Sequence, residues 1–441
     1  MRLVAITGLI ASPPGAAQVA AGDARPPTGR ETVTGRARPG YAPIGIPVGG
    51  FRLFPSLEAR GSYDSNIYAL PGSPVDDVAL VLSPRLTLRS EETRRYDIAL
   101  IADAAITRYA QQTIENNTSG VVSATGRIEL DRDTQLSASL TAPRRIQRRG
   151  TEDEALVGAL PPVAYRELTS TLGAERRFGP VTAALGGTVS QFRYGSTQVD
   201  GRRVSLRDNN AEQAGANARV AVAVGPAVGV FAAARYNDAR YARSTRLPNR
   251  DSSGYALLGG VAFANSLIDG EAGVGYMRQT FKSPLYRDIS GINYGVRLNW
   301  GPTPLADIHL DVGRTFQRSA LIGAAGIRLD RATISADYEL LRNLLLDSGV
   351  TYTIADYRGL DRRDRRLEGA IAASRARSAS AIWRAATCRW SARSLVRSSA
   401  AAPVRCSVAT MTASASPPAC GCSCDARAHA PFGSRRRIGE R

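Results

Sequence analysis

Only two histidines occur in the 441 residues, His309 and His429. His309 alternates with Asp311 in a segment of period two, so both would share one face of a strand. With a Ser or Asp neighbour, His309 could serve a hydrolase; without one, it is an imidazole in a polar wall. Cys420, Cys422 and Cys424 stand close together, but no second ligand pair follows at a zinc spacing. No Gly-x-Ser-x-Gly elbow, phosphate loop or His-Glu-x-x-His is present. The chain therefore reads as a non-enzyme with no cofactor and no metal; a barrel enzyme using His309 is the third reading of its function.

The other groups able to act on a solute are charges spaced two apart. Arg127, Arg235 and Arg297 fall on the same strand face as Asp97, Asp103, Glu129, Asp269, Glu271, Asp337 and Glu339. Ladders of this kind set ion selectivity in pores. They could equally pair across a wall and hold its interior together, and both readings stay open.

The elements that must position these charges are hairpins. In RVAVAVGPAVGVFAAARY, from Arg219 to Tyr236, Val220, Val222 and Val224 alternate with small or polar residues up to Gly225-Pro226. Val228, Val230, Ala232, Ala234 and Tyr236 then resume the alternation, which predicts an antiparallel hairpin with one apolar and one polar face. The pattern recurs from about residue 52 to 370. Short connections, such as those at Asp131–Asp133, Gly179-Pro180, Gly225-Pro226 and Arg342-Asn343, alternate with long polar ones such as 143–162, 195–210 and 238–253. Short turns at one end and long loops at the other characterise outer-membrane barrels, and place the chain's start on the periplasmic side. Strands running towards the long loops end in rings, which predicts an interfacial girdle of Tyr109, Tyr194, Tyr236, Tyr276, Phe316 and Tyr352.

Composition narrows the alternatives. Net charge is +18, but the last 70 residues hold 12 Arg against Asp425 and Glu440. With the rest of the charge dispersed and no recognition motif, nucleic acid is not an expected partner. All five cysteines also lie in that tail, so the body relies on strand closure rather than disulfides. No apolar run reaches the length of a spanning helix. Arg2, the apolar segment Leu3–Ala11 and Val19-Ala20-Ala21 form a possible signal peptide.

The stretch GGFRLFPSLEARGSYDSNIYA, with Tyr63-Asp64-Ser65-Asn66 after an apolar-Pro strand, resembles the β-barrel porin family of alphaproteobacterial outer membranes. The likeness covers about residues 50–370. It implies outer-membrane localisation, sometimes an association with surface polysaccharide production, and no catalytic residues.

The expected fold is an all-β, antiparallel transmembrane barrel of about 16 or more strands, its last strands lost to an aberrant C-terminus. The expected organisation is a signal peptide over 1–21, a Pro/Gly/Arg-rich periplasmic leader over 22–50, the barrel over 51–370 and a disordered, out-of-frame tail over 371–441. The expected function is passage for small solutes or a secreted glycan; the alternative is a non-conducting accessory barrel of an envelope-assembly or polysaccharide-export system. Expected partners are outer-membrane lipid, lipopolysaccharide, the barrel-assembly machinery and polysaccharide-export components.

Overall fold

The computed structural model describes residues 32–36, 43–69, 73–91, 95–147, 149, 154, 159–244, 248–321, 323–378, 381–395 and 404–408, with side chains as far as Ile371. The signal segment, His429 and the Cys420–Cys424 cluster lie outside the described residues.

The strands run in chain order. A short β1 (Ile46–Val48) precedes β2 (Phe51–Asp64), β3 (Asp77–Ser90), β4 (Tyr96–Tyr109), β5 (Asn117–Glu129), β6 (Thr134–Ile146), β7 (Ala164–Phe178) and β8 (Val181–Tyr194). A two-stranded hairpin, β9 (Ser196–Val199) and β10 (Arg202–Ser205), stands apart within a long loop. Then follow β11 (Ala211–Ala223), β12 (Val228–Tyr241), β13 (Ser252–Ala264), β14 (Ile268–Phe281) and β15 (Ile289–Thr303). β16 (Ala306–Arg318), β17 (Gly326–Leu341), β18 (Leu344–Arg358), β19 (Arg363–Ser378), β20 (Ala381–Leu395) and β21 (Val404–Val408) complete the series.

All but β9 and β10 belong to one antiparallel sheet. Each long strand pairs with the next in sequence, and β8 pairs with β11 past the small hairpin. Seventeen strands, β2 to β8 and β11 to β20, are 13 to 16 residues long. That length crosses a bilayer when tilted. The two-residue turn at Gly179-Pro180 needs Gly179 at φ +61, a conformation only glycine adopts freely.

One face of the sheet carries its apolar residues outward. Leu100, Val122, Leu140, Leu172, Leu185, Val230, Val274 and Ile334 are all exposed. In water this surface would be untenable, and in lipid it is the wall. Alternation puts Asp97, Asp103, Glu271, Arg297 and Asp311 on the inner face.

The sheet outruns the expected boundary at 370: β19 extends to Ser378 and β20 to Leu395, paired from Asp364↔Leu395 to Ser378↔Ala381. Ala, Ser and Arg blur the period-two signal, but a backbone ladder does not require it. An unpaired edge in hydrocarbon is costly enough to favour pairing regardless of composition. The expectation of disorder from 371 is thus corrected for 371–378, 381–395 and 404–408.

The leader also departs from expectation. Residues 46–48 join the sheet as β1, with Ile46↔Leu53 and Val48↔Phe51, and residues 32–36 sit against the inner wall.

Candidate functional site

Alternation delivers to the lumen a chain of charges across β11, β14, β15 and β16. Arg219 reaches Glu271 at 2.8 Å, passing over the Phe231 ring at 3.9 Å. Arg297, directly opposite Glu271 in the ladder, lies 3.7 Å from it and 3.5 Å from Asp311. Arg235 is exposed on the same face, within electrostatic reach of Arg219, Arg297 and Glu271. Across the barrel, Arg89 donates two hydrogen bonds to Asp97 at 2.9 and 3.1 Å, and Arg85 donates one to Asp103 at 3.3 Å. Arg127 faces Asp97 in the register, and both Arg127 and Glu129 are exposed. The expected charges thus form two clusters on opposite walls rather than one ring. One is an Arg–Glu–Arg–Asp relay; the other consists of Arg–Asp pairs.

The short-turn end is acidic and occupied. Asp269, Asp307 and Glu339 are buried there. Asn299 donates to Asp269 at 2.8 Å. The Val33 backbone N–H donates to Asp307 at 2.5 Å, and Arg36 pairs with Glu339 at 3.1 Å and donates to the Pro304 carbonyl. Arg36 of the leader therefore offsets the charge of Glu339 and the Val33 N–H stabilises Asp307, where carboxylates would otherwise repel one another in a confined space. His309 lies beside this cluster, with Nδ1 at 2.8 Å from Asn299 Oδ1 and Nε2 at 3.3 Å from Asp337 Oδ2. Both ring nitrogens thus have partners other than Ser335, its cross-strand neighbour. Among the described residues no group of His, Cys, Asp and Glu is arranged to hold a metal.

The long-loop end is covered by interlocked loops. Asn209, before β11, donates to the Ala320 carbonyl at 2.7 Å, although Ala320 follows β16, five strands further round the barrel. Arg250 donates to Asn209 Oδ1 at 2.9 Å, to the Asp208 carbonyl at 2.5 Å and to the Ser319 carbonyl at 3.4 Å. Arg318 lies over Phe192 at 3.6 Å and donates to Tyr194 Oη at 3.1 Å. Nearby, Arg149 pairs with buried Glu115 at 2.5 Å and joins two further loops. Burial drives this cap: Ala159, Val163, Tyr165, Phe192, Tyr194, Leu206 and Ala320 form one apolar cluster inside it.

Two residues assigned to the girdle belong here instead. Tyr194 is 4% exposed, stacked on Tyr165 at 4.9 Å, and Tyr109 shares the inner face of Asp97 and Asp103. Rings near strand ends occur at both parities, and only those in step with the apolar face can meet lipid. Tyr236 (52% exposed), Tyr276 (43%) and Tyr352 (40%) are in step. Phe316 is half-buried, packed edge-on against Phe281 at 6.1 Å. Sequence reasoning missed Arg219, Arg36, Asp307, Arg250 and Arg318. Arg219 was legible, since it stands at the polar parity next to Val220; the others depend on which loop folds over which mouth.

The family model described as Putative beta-barrel porin 2 matches residues 38–393. No curated protein matches the chain. Among solved structures, the FrpB iron transporter from Neisseria meningitidis matches with a TM-score of 0.44 and 10% identity, over 78% of this chain and 62% of its own. The ferric citrate transporter FecA matches with a TM-score of 0.44 and 10% identity, over 83% and 61%. The siderophore receptor PirA from Acinetobacter baumannii matches with a TM-score of 0.40 and 7% identity, over 78% and 62%. The chain thus spans about 62% of the length of the FrpB structure it matches.

Proposed function

This chain belongs to the Putative beta-barrel porin 2 family and is an outer-membrane β-barrel of the Gram-negative envelope, and we propose that it gives small charged solutes a selective, non-enzymatic passage. The observation that carries the proposal is the inner face of 17 long strands, a number at which barrels leave an aqueous lumen, and the Arg219–Glu271–Arg297–Asp311 relay that it bears. Opposed charges in a narrowed, low-dielectric lumen filter ions more strongly than the same charges in bulk water.

The test is conductance of the full chain in planar bilayers. Arg235→Glu and Arg297→Glu should each shift ion selectivity towards cations. Unchanged selectivity in a conducting pore would leave these residues a bracing role only.

A second reading is favoured by a specific observation. Residues 32–36 occupy the acidic end and the loops cover the other, which suits a closed accessory barrel of an envelope-assembly or polysaccharide-export system. On that reading the native chain stays silent, and Asp307→Asn with Glu339→Gln, which loosens the leader, opens it. Insertion by the barrel-assembly machinery and the alphaproteobacterial placement form part of the proposal.

A further inference from the structure

On the lipid-facing wall, at the rim next to the long loops, three arginines stand side by side on adjacent strands. Arg144 of β6 is the direct cross-strand partner of Arg166 of β7, and Arg166 is the direct partner of Arg193 of β8. Direct partners have their Cβ atoms about 5 Å apart, and like charges so placed destabilise a sheet. All three side chains are exposed. Arg193 pairs with Glu212 at 3.1 Å and Arg144 donates to the Thr118 carbonyl, whereas Arg166 has no carboxylate partner among the described residues. Glu167 does not help, because it turns to the other face and pairs with Arg145 at 3.3 Å. Elsewhere on the same rim Arg240, Arg278 and Arg314 each have a carboxylate of their own, while Arg108 of β4 stands singly and donates to the Thr107 and Asn117 carbonyls. Arg240 has Asp238 at 2.9 Å, Arg278 has Asp288 at 3.4 Å, and Arg314 has Asp330 at 2.5 Å. Over β6 to β8 the positive charge is left in excess.

The three arginines line a groove of about 310 Å³ together with Leu168, Gln191 and Glu167, the last with its carboxylate engaged by Arg145. One or two alternations further into the bilayer the same wall turns apolar, at Leu140, Leu168 and Val189. A ligand that fits would place an anion among the guanidiniums and acyl chains along the leucines. We propose that this groove binds the phosphorylated headgroup of lipopolysaccharide, the anionic lipid facing the long-loop side of an outer membrane. The proposal rests on the long loops facing outward and is independent of whether the lumen conducts. Guanidinium forks match phosphate oxygens geometrically, and a shared phosphate converts the repulsion between the arginines into a bridge.

The experiment uses the purified full chain in detergent with three probes: bis-phosphorylated lipid A, its dephosphorylated form, and phosphatidylglycerol. Native mass spectrometry counts bound lipid, and thermal melting follows stability. Lipid A should bind and raise the melting temperature, because a ligand of the folded state stabilises it. R144Q/R166Q/R193Q should weaken that binding at least about 10-fold, the loss expected from removing charge-assisted bonds. Without lipid, the triple variant should melt no lower than the native chain, since its repulsion is gone. R278Q, whose arginine has its own carboxylate, should bind as the native chain does. If the triple variant fails to fold, R166Q alone should still weaken binding by a factor of about 3 or more. Equal binding of dephosphorylated lipid A, tighter binding of phosphatidylglycerol, undiminished binding by the variants, or a lipid-free dimer through this face would each overturn the proposal. Conductance of the native chain is recorded separately, so failure of the pore reading leaves this result intact.

Discussion

Arg250→Ala should unlatch the outer mouth. The Arg250 side chain is 2% exposed, and its guanidinium serves three acceptors from two loops while lying 4.3 Å over the Tyr241 ring. Two of those bonds are short; at about 1.5–3 kcal/mol for each bond to a charged group, they are worth roughly 3–6 kcal/mol gross. Desolvating a guanidinium costs several kcal/mol in return, which removes part of that gain. Truncation, however, leaves Asn209 Oδ1 and the Asp208 carbonyl short of a donor, while the Ser319 carbonyl keeps the Tyr241 hydroxyl at 3.3 Å, so a net loss of about 2–4 kcal/mol is expected. At 1.4 kcal/mol per tenfold, local opening becomes about 30-fold to 700-fold more frequent. The assay is amide hydrogen exchange at Asn209 and Asn210, whose N–H groups donate to Leu206 and Arg207 inside the latched loop. Amides in the β11–β12 ladder act as the internal reference and should not change. Arg250→Lys keeps the charge but not the planar fork, and should fall between the two. If protection at Asn209 and Asn210 stays within about threefold of native, well below the range expected from a buried network, the latch carries no such energy.

In intact cells, a broad-specificity protease should cut near Arg202-Arg203, exposed beyond the Asp200-Gly201 turn, and spare Gly225-Pro226; cleavage at the Gly-Pro turn instead would invert the topology. Glu271→Gln should move selectivity towards anions, because Arg219 and Arg297 both lose their shared carboxylate; an unmoved reversal potential in a conducting pore would count against the relay. Backbone amides in the middle of β2 should exchange faster than those in the middle of β8, which has full-length partners on both sides; equal rates would mean a seam as strong as the rest.

The barrel was legible because lipid enforces a simple rule. Val220, Val222, Val228 and Val230 must all face one way, and Gly225-Pro226 must sit at a tight turn. Local sequence says both. The inner face follows by subtraction, which is why Arg235, Glu271 and Arg297 could be picked out together. Their pairing could not, because Arg219 meets Glu271 three strands away, a distance set by barrel curvature. The cap was less legible still. Asn209, Arg250 and Ser319 belong to three loops with no shared periodicity, and only the closed fold brings them together. Tyr194 shows the same limit from the other side: its ring type suits a girdle, but its parity, set by Leu185 and Val189, sends it inward.

Strand parity explains the seam. In a meander each strand reverses the last, so β2 and the seventeenth long strand, β20, run the same way. Direct closure of β20 on β2 would be parallel, which bacterial single-chain barrels, with their even strand numbers, do not use. One more strand of opposite sense must stand between them, and β21 is there. It pairs antiparallel with β20 from Cys388↔Val408 to Ala392↔Val404, and lies within 8 Å of β2. It offers five residues to a strand of 14. Because β20 runs towards the long loops, these five lie in the outer half of the wall. At the opposite end β1 lies along the free edge of β2, at Phe51–Leu53. The edge is thus met by the leader from the periplasmic end and by the tail from the outer end. Backbone groups between the two would be costly to leave bare in hydrocarbon. That cost gives a physical reason for both ends of the chain to be drawn onto one strand, although neither carries the alternation that marks the rest of the wall.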